Sequence, residues 1–337
     1  MTPTRTVAIA CQGGGSHCAF GAGVLLEMLD RASDGGVIER HGQRLGIRGF
    51  SGTSGGAINA AFAWYALVAR ERRAGTDALA GFWQQMMATD PWDAIGNAGL
   101  VSVARLQGIL PSVEFAPNAL SASAQQRLGE MIEQHLPFAE LPGLATERGP
   151  ELHIGAANIK TGEFTVFGGA GRNAVPTVKH LLASAALPDM FPPVEVEGQY
   201  YWDGLLSQNP PIRNFLRGRR PAAIPDEIWI IRINPQERTE LPRQLVDIRD
   251  RRNEMAGNVA LEEELYFIGQ VNKWVAKGEL PDKKSIAIHD IWLERTGKPG
   301  DEFDYASKLD RRPSFIQSLL DRGRVAAATF LDGASGN

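Results

Sequence analysis

The stretch VAIACQGGGSHCAFGAGVLLEML, residues 7–29, reads as three pieces in succession. Val7 to Ala10 is a short unbroken apolar run, the pattern of a strand covered on both faces. Phe20, Val24, Leu25, Met28 and Leu29 then recur at helical spacing. Between them stand Gly13, Gly14 and Gly15, which lose more backbone entropy on folding than any other residues would. Either some group approaches that backbone closely or the turn needs dihedrals that a Cβ forbids, and the candidates for a group met there are a phosphate and an oxyanion. A Walker loop requires G-x-x-x-x-G-K-[ST], but the chain has no lysine before Lys160. A dinucleotide fingerprint requires a glycine three residues after Gly15, where Cys18 stands. Both phosphate readings fail on residues.

A second unit of the same kind follows. Ile47 to Phe50 predicts a strand, Ser51 to Gly55 a sharp turn, and Ala57, Ile58, Ala61, Phe62 and Tyr65 a helical stripe. Two strand–turn–helix units in succession predict a parallel sheet with helices on both faces. Farther along, Glu151 to Asn158 and Glu163 to Phe167 predict a hairpin around Lys160, Thr161 and Gly162. Ile228 to Ile233 and Ile286 to Ile291 predict two more buried strands, and Leu261 to Val275 and Phe315 to Phe330 predict helices. No repeat or linker interrupts the 337 residues, so one domain over 1–337 is expected, with residues 236–337 as a helical and strand extension that carries no motif.

A formal net charge of -4 gives no reason to expect a nucleic-acid partner. The two cysteines, Cys11 and Cys18, have neither metal-ligand spacing nor a disulfide framework and read as free thiols in a reducing compartment. The N-terminal stretch is too poor in apolar residues for a secretory segment, and no run approaches the ~20 apolar residues that span a bilayer. A cytoplasmic protein is expected, without a membrane span. Residues 91–120 combine few charges with Trp92, Leu100, Val101, Leu106, Ile109, Leu110 and Phe115, the composition of a cap over a pocket or of a surface that meets lipid. An irregular segment packed on the core is the plainer alternative. Arg217-Gly218-Arg219-Arg220 could meet anionic headgroups, although such a run is more often a solvated loop.

Gly52-Thr53-Ser54-Gly55-Gly56 is G-x-S-x-G, placed after a predicted strand and before a predicted helix. On such an elbow the serine occupies a strained turn and its hydroxyl points outward. The hydroxyl is a poor nucleophile until a base takes its proton. Six histidines are present: His17, His41, His135, His153, His180 and His289. Ser54, Asp203 and His289 match the Ser, Asp, His chain order of an α/β-hydrolase triad, but His289 also reads as a strand residue within Ile286 to Ile291. Asp203-Gly204 is a different solution, although a lone Asp-Gly ordinarily marks a turn.

The glycine loop, the elbow, and Asp203-Gly204 with downstream Asn209 and Pro210 occur in the order of a known pattern. Together they resemble the patatin-like phospholipases, over about Val7 to Pro211, and ASAALPDMFPPV (Ala183 to Val194) resembles that family's segment between serine and aspartate. The resemblance implies a three-layer α/β/α sandwich with a mainly parallel central sheet. It also implies a Ser-Asp dyad acting on lipid-type acyl esters, with Ser54 as nucleophile and Asp203 as base. Asp203 would then need a desolvated position, since a carboxylate near its ordinary pKa of ~3.9 is a weak base at neutral pH. The glycine loop becomes an oxyanion hole, with Gly14 and Gly15 as donors and Gly13 allowing the turn. The family's basic residue and glycine are His17 and Cys18 here, which puts phospholipid preference in doubt but leaves ester hydrolysis intact. No cofactor or metal is expected. The expected partner is a lipid or other acyl ester, met at a membrane or lipid surface. The competing class is a noncatalytic protein that binds lipid or polyester granules with an idle site.

Overall fold

The computed structural model describes residues 5–333 except 34, 70, 107–118, 148, 189, 218–220, 239–240, 244 and 295–302. Its strands are β1 (Arg5–Cys11), β2 (Val37–Arg40), β3 (Gln43–Thr53), β4 (Glu151–Asn158), β5 (Phe164–Gly169), β6 (Val194–Val196), β7 (Gln199–Asp203), β8 (Glu227–Arg232) and β9 (Ala287–Trp292). Its helices are α1 (Cys18–Arg31), α2 (Gly55–Val68), α3 (Arg72–Met86), α4 (Pro91–Leu106), α5 (Ala119–His135), α6 (Leu141–Leu144), α7 (Val178–Ser184), α8 (Leu245–Ala276) and α9 (Pro313–Asp332).

The side-chain alternation of β1 and β8 accounts for the layers. Val7, Ile9 and Cys11, with Trp229 and Ile231, pack into a core with residues of α1, α2, α3 and α9. Ala8 and Ala10, with Ile228 and Ile230, turn to the other face and pack with Leu261 and Ile268 of α8. Both faces are thus covered, which is why these strands read as continuous apolar runs. The result is the expected α/β/α sandwich, its sheet in the order β6-β7-β4-β3-β1-β8-β9, with β2 beside β3 and β5 beside β4. The central run from β4 to β9 is parallel, and the antiparallel pairings involve β2, β5, β6 and β7.

Two consequences of this topology build the site. The connection from β1 through α1 runs toward β3, whereas that from β8 through α8 runs the other way toward β9. The chain therefore leaves the adjacent ends of β1 and β8 in opposite directions, and open α/β sheets form their crevices at such a point. The second consequence concerns β4, which pairs with β3 over Glu151 to Gly155, with β5 over Leu152 to Ala157, and with β7 over Ala156 to Asn158. A strand has two edges, and β5 overlaps both other partners, so β3 and β7 must share the opposite edge. They meet there end to end, with Thr53 opposite Gly155 and Asp203 opposite the next residue, Ala156.

The predicted strands, the hairpin and the helices flanking the two turns are all present. Residues 91–106 are helical rather than irregular, with Trp92, Ile95 and Leu100 exposed. Val101, grouped by composition with the exposed residues, is instead buried against Ala306. The rest of that segment, 107–118, lies outside the described residues, as do 218–220 of the arginine run. Residues beyond 236 contribute β9 to the same sheet and α9 to the same core as α1. No helix among the described residues is long and apolar enough to cross a membrane.

Candidate active site

Ser54 sits between the last residue of β3 and the first of α2 with φ 57° and ψ −133°, a conformation that non-glycine residues rarely adopt. Its neighbours explain how the turn closes. A Cβ at Gly52 would collide with the Gly56 carbonyl, and one at Gly56 with the Cys11 carbonyl, so strand and helix approach closely only because both residues are glycine. The Ser54 amide donates to Ser184 Oγ at 2.9 Å, and Ser184 Oγ donates to the Gly155 carbonyl at 2.6 Å. Ser184 thereby ties the elbow to β4. It lies within the ASAALPDMFPPV stretch, but nothing local in the sequence assigns it that task.

Asp203 ends β7 and is 2 % exposed. Its amide donates to the Ala186 carbonyl at 2.9 Å, and its Oδ1 accepts from the Leu205 amide at 2.8 Å. Burial pushes its carboxyl up to about 7; the Leu205 amide and the Ser54 hydroxyl, which faces it as a hydrogen-bond donor, pull in the opposite direction. Those partners are neutral, so desolvation prevails. The carboxyl is therefore desolvated and lies beside the Ser54 hydroxyl.

The glycine loop follows β1 into the crevice. Gly13 passes so close to the elbow that a Cβ there would collide with the Thr53 carbonyl and the Ser54 side chain. Its amide donates to Asn209 Oδ1 at 2.6 Å and so is already engaged, and the Gly14 amide faces the Cys18 sulfur as a hydrogen-bond donor. Gly15 has φ 59°, and a Cβ there would also strike the Lys308 carbonyl. Residues 15–17 form a short 3₁₀ turn leading into α1.

His17 faces away from this chemistry. It is fully buried, its Nε2 within 2.8 Å of Ser307 Oγ and its ring edge-on to Phe303. It packs as a helix-start residue rather than as a headgroup or oxyanion contact. Cys18 lies beneath the elbow, and burial pushes its thiol up to about 12; that of Cys11 is raised for the same reason. Both cysteines are free and buried.

His289 is not brought to Ser54. It pairs in register with Trp229, which aligns with Ile9 and then Phe50, four residues short of the serine and three strands away. Strand rise and spacing put the separation at roughly 19 Å. Its neighbours are Arg40, Glu227 and Phe330. Among the described residues no group of three or more His, Cys, Asp or Glu side chains could hold a metal ion.

A strained serine on a strand-to-helix turn in an α/β sandwich is the geometry of a nucleophile elbow. The family model for patatin-like phospholipase matches residues 9–216, more than half of the chain, and the chain belongs to that family of lipid acyl hydrolases. No curated protein matches the sequence. Among solved structures, VipD from Legionella pneumophila is similar at a TM-score of 0.44 and 12% identity, covering 98% of this chain and 67% of that one. The type III effector ExoU is similar at 0.38 and 14%, covering 98% of this chain and 53% of its own. ExoU from Pseudomonas aeruginosa in complex with SpcU is similar at 0.35 and 13%, with the same coverage. The chain thus spans about half the length of ExoU.

Proposed function

We propose that the protein hydrolyses lipid-type carboxylic esters through a Ser54–Asp203 dyad, with the glycine loop as oxyanion hole. The reading rests on a single observation: a buried carboxyl with neutral partners, held next to the elbow serine by the shared edge of β4. Near neutral pH such a carboxylate is half ionised and basic enough to take a proton in the transition state. Asp203 accepts the Ser54 hydroxyl proton as Oγ attacks the ester carbonyl, and the tetrahedral oxyanion that forms is met by backbone amides of the glycine loop. Collapse breaks the bond to the alcohol, which leaves with the proton from Asp203, and Ser54 carries the acyl group. Water then attacks the acyl carbonyl, giving its proton to Asp203. The second collapse returns that proton to Ser54 Oγ and releases the carboxylic acid.

We infer one domain over 1–337, working in the cytoplasm and peripheral to a lipid surface. The exposed Trp92, Ile95 and Leu100 of α4 are the apolar residues offered to that surface. A fluorophosphonate should label Ser54 in the wild type and leave Ser54→Ala unmodified, with loss of p-nitrophenyl ester turnover in the variant. An unlabelled, inactive wild type would favour the granule-binding alternative, and turnover retained in Ser54→Ala would end the dyad reading.

A further inference from the structure

A buried network of amide side chains holds the start of the glycine loop, at Gln12 and Gly13. Gln12, 2 % exposed, donates from Nε2 to the Asn209 carbonyl at 3.2 Å and to Asn258 Oδ1 at 3.0 Å. Its Oε1 accepts from the amides of Ile233 at 3.0 Å and Asn234 at 3.1 Å. Both donors and both lone pairs of that side chain are therefore used. The peptide groups of Gly13 are held in turn: its amide by Asn209 Oδ1, and its carbonyl by Asn209 Nδ2 at 3.1 Å and Asn234 Nδ2 at 2.8 Å. Asn258 extends the network by donating from Nδ2 to the Pro235 carbonyl at 3.1 Å.

The far end of the loop is gripped from the same helix. Gly15 abuts the Lys308 carbonyl, and Lys308 Nζ bonds Asp250 at 2.6 Å and Glu254 at 3.1 Å. Residues 250, 254 and 258 are spaced by four on α8 and so share one face. That face reaches the loop at both ends, through Gln12 before Gly13 and through Lys308 behind Gly15.

Three consecutive glycines have no side chains with which to fix their own orientation. Donors aid the transition state only if they already point where the negative charge will develop. We propose that α8 is the element that orients the oxyanion loop, with Gln12 and Asn258 as positioning residues acting through Gly13. Helix α8 lies beyond the residues 9–216 matched by the family model, so in this chain the C-terminal third sets catalytic rate and not merely stability. The proposal rests on the Ser54–Asp203 reading.

The test uses the full chain and p-nitrophenyl butyrate. Asn258→Leu removes both of its bonds and should lower kcat by about 10- to 100-fold with KM changed by less than about threefold, since small misplacements of transition-state donors cost rate rather than ground-state affinity. Rates are referred to active sites titrated with a fluorophosphonate, so that a smaller folded fraction does not register as lower kcat. Glu227→Gln, remote from the loop, serves as a destabilised control whose kcat should not move. A kcat for Asn258→Leu within threefold of wild type overturns the proposal, as does a rise in KM alone. Should that variant not fold, Asn258→Ser is held to the same thresholds, and failure of both to fold assigns the network to stability and overturns the proposal. An inactive wild type defeats the dyad reading and this proposal together. Wild-type turnover with insensitive Asn258 variants defeats this proposal alone.

Discussion

Two buried carboxylates stand at opposite ends of the sheet, and their neighbours make them different groups. Asp203, near the C-terminal ends of the parallel strands, is met by the Leu205 amide and the Ser54 hydroxyl. Glu227 begins β8 at the other end, where Arg5 lies at 3.0 Å, Arg40 at 3.8 Å and His289 at 3.5 Å, with the Trp229 indole donating at 2.8 Å. Each is about as buried as the other, at 2 % and 3 %. Glu227, paired with two arginines, is an anchor, whereas burial among neutral donors raises the Asp203 carboxyl.

Exchanging each for its amide gives the largest expected effect. Asp203→Asn should lower kcat on p-nitrophenyl butyrate by about 10³-fold, within the range for loss of a general base. Glu227→Gln should leave kcat within about threefold and reduce stability instead, on the order of 2 kcal/mol, less than a fully buried pair would lose because Arg5 reaches solvent. Equal loss of activity in the two variants would erase the distinction.

Stability should separate the same residues in the opposite sense. The Asp203 carboxyl is raised from 3.8 to about 7 in the folded chain, so between those values the native state holds more protons than the unfolded state. Wild-type stability contributed by this site is complete below about pH 4 and declines as pH rises through about 7. The side-chain amide that replaces the carboxyl in Asp203→Asn does not titrate. That variant should match wild type near pH 4 and exceed it at pH 8, by up to about 4 kcal/mol in urea unfolding. A variant less stable than wild type at pH 8 would show that the carboxylate is not strained by burial.

The same ionisation should shape the rate. With Asp203 as base, kcat/KM should fall about tenfold per pH unit below about 7 and level off above it, leaving roughly a hundredth of the plateau at pH 5. A profile flat from pH 5 to 8 would remove Asp203 from that role.

What could be read in advance follows the same division between local and distant causes. β1, α1, the elbow and the hairpin were legible because runs, spacing and turn residues act within a few positions. Ser54 and Asp203 were legible through motifs, although their meeting on one edge of β4 appears only in the register. α8 was expected over Leu261 to Val275 but begins at Leu245. Its first turns bury Asp250, Glu254 and Asn258 against charged and amide partners, Arg238, Lys308 and Gln12, so the apolar period that marks a buried face is silent there. Gln12 and Asn234 were missed for the same reason: an amide network hundreds of residues wide leaves no periodic trace. β2, four residues ending in Glu39 and Arg40, is too short and polar to stand out.

The smallest expected effect is the most direct check on this reading of the sheet. A triad would make His289 indispensable, yet the register leaves it beside the anchor carboxylate, next to Arg40 and the Phe330 ring over which Arg40 lies. Desolvation and the nearby Arg40 also lower its pKa, so at neutral pH it adds little charge to the Glu227 cluster. His289→Ala should therefore keep kcat within about twofold and lose on the order of 1 kcal/mol of stability through its packing on Phe330. A 10³-fold loss of kcat with the fold intact would mean that strand β9 had been assigned to the wrong end of the chemistry, and that proton transfer from Ser54 depends on a residue the shared edge of β4 does not supply.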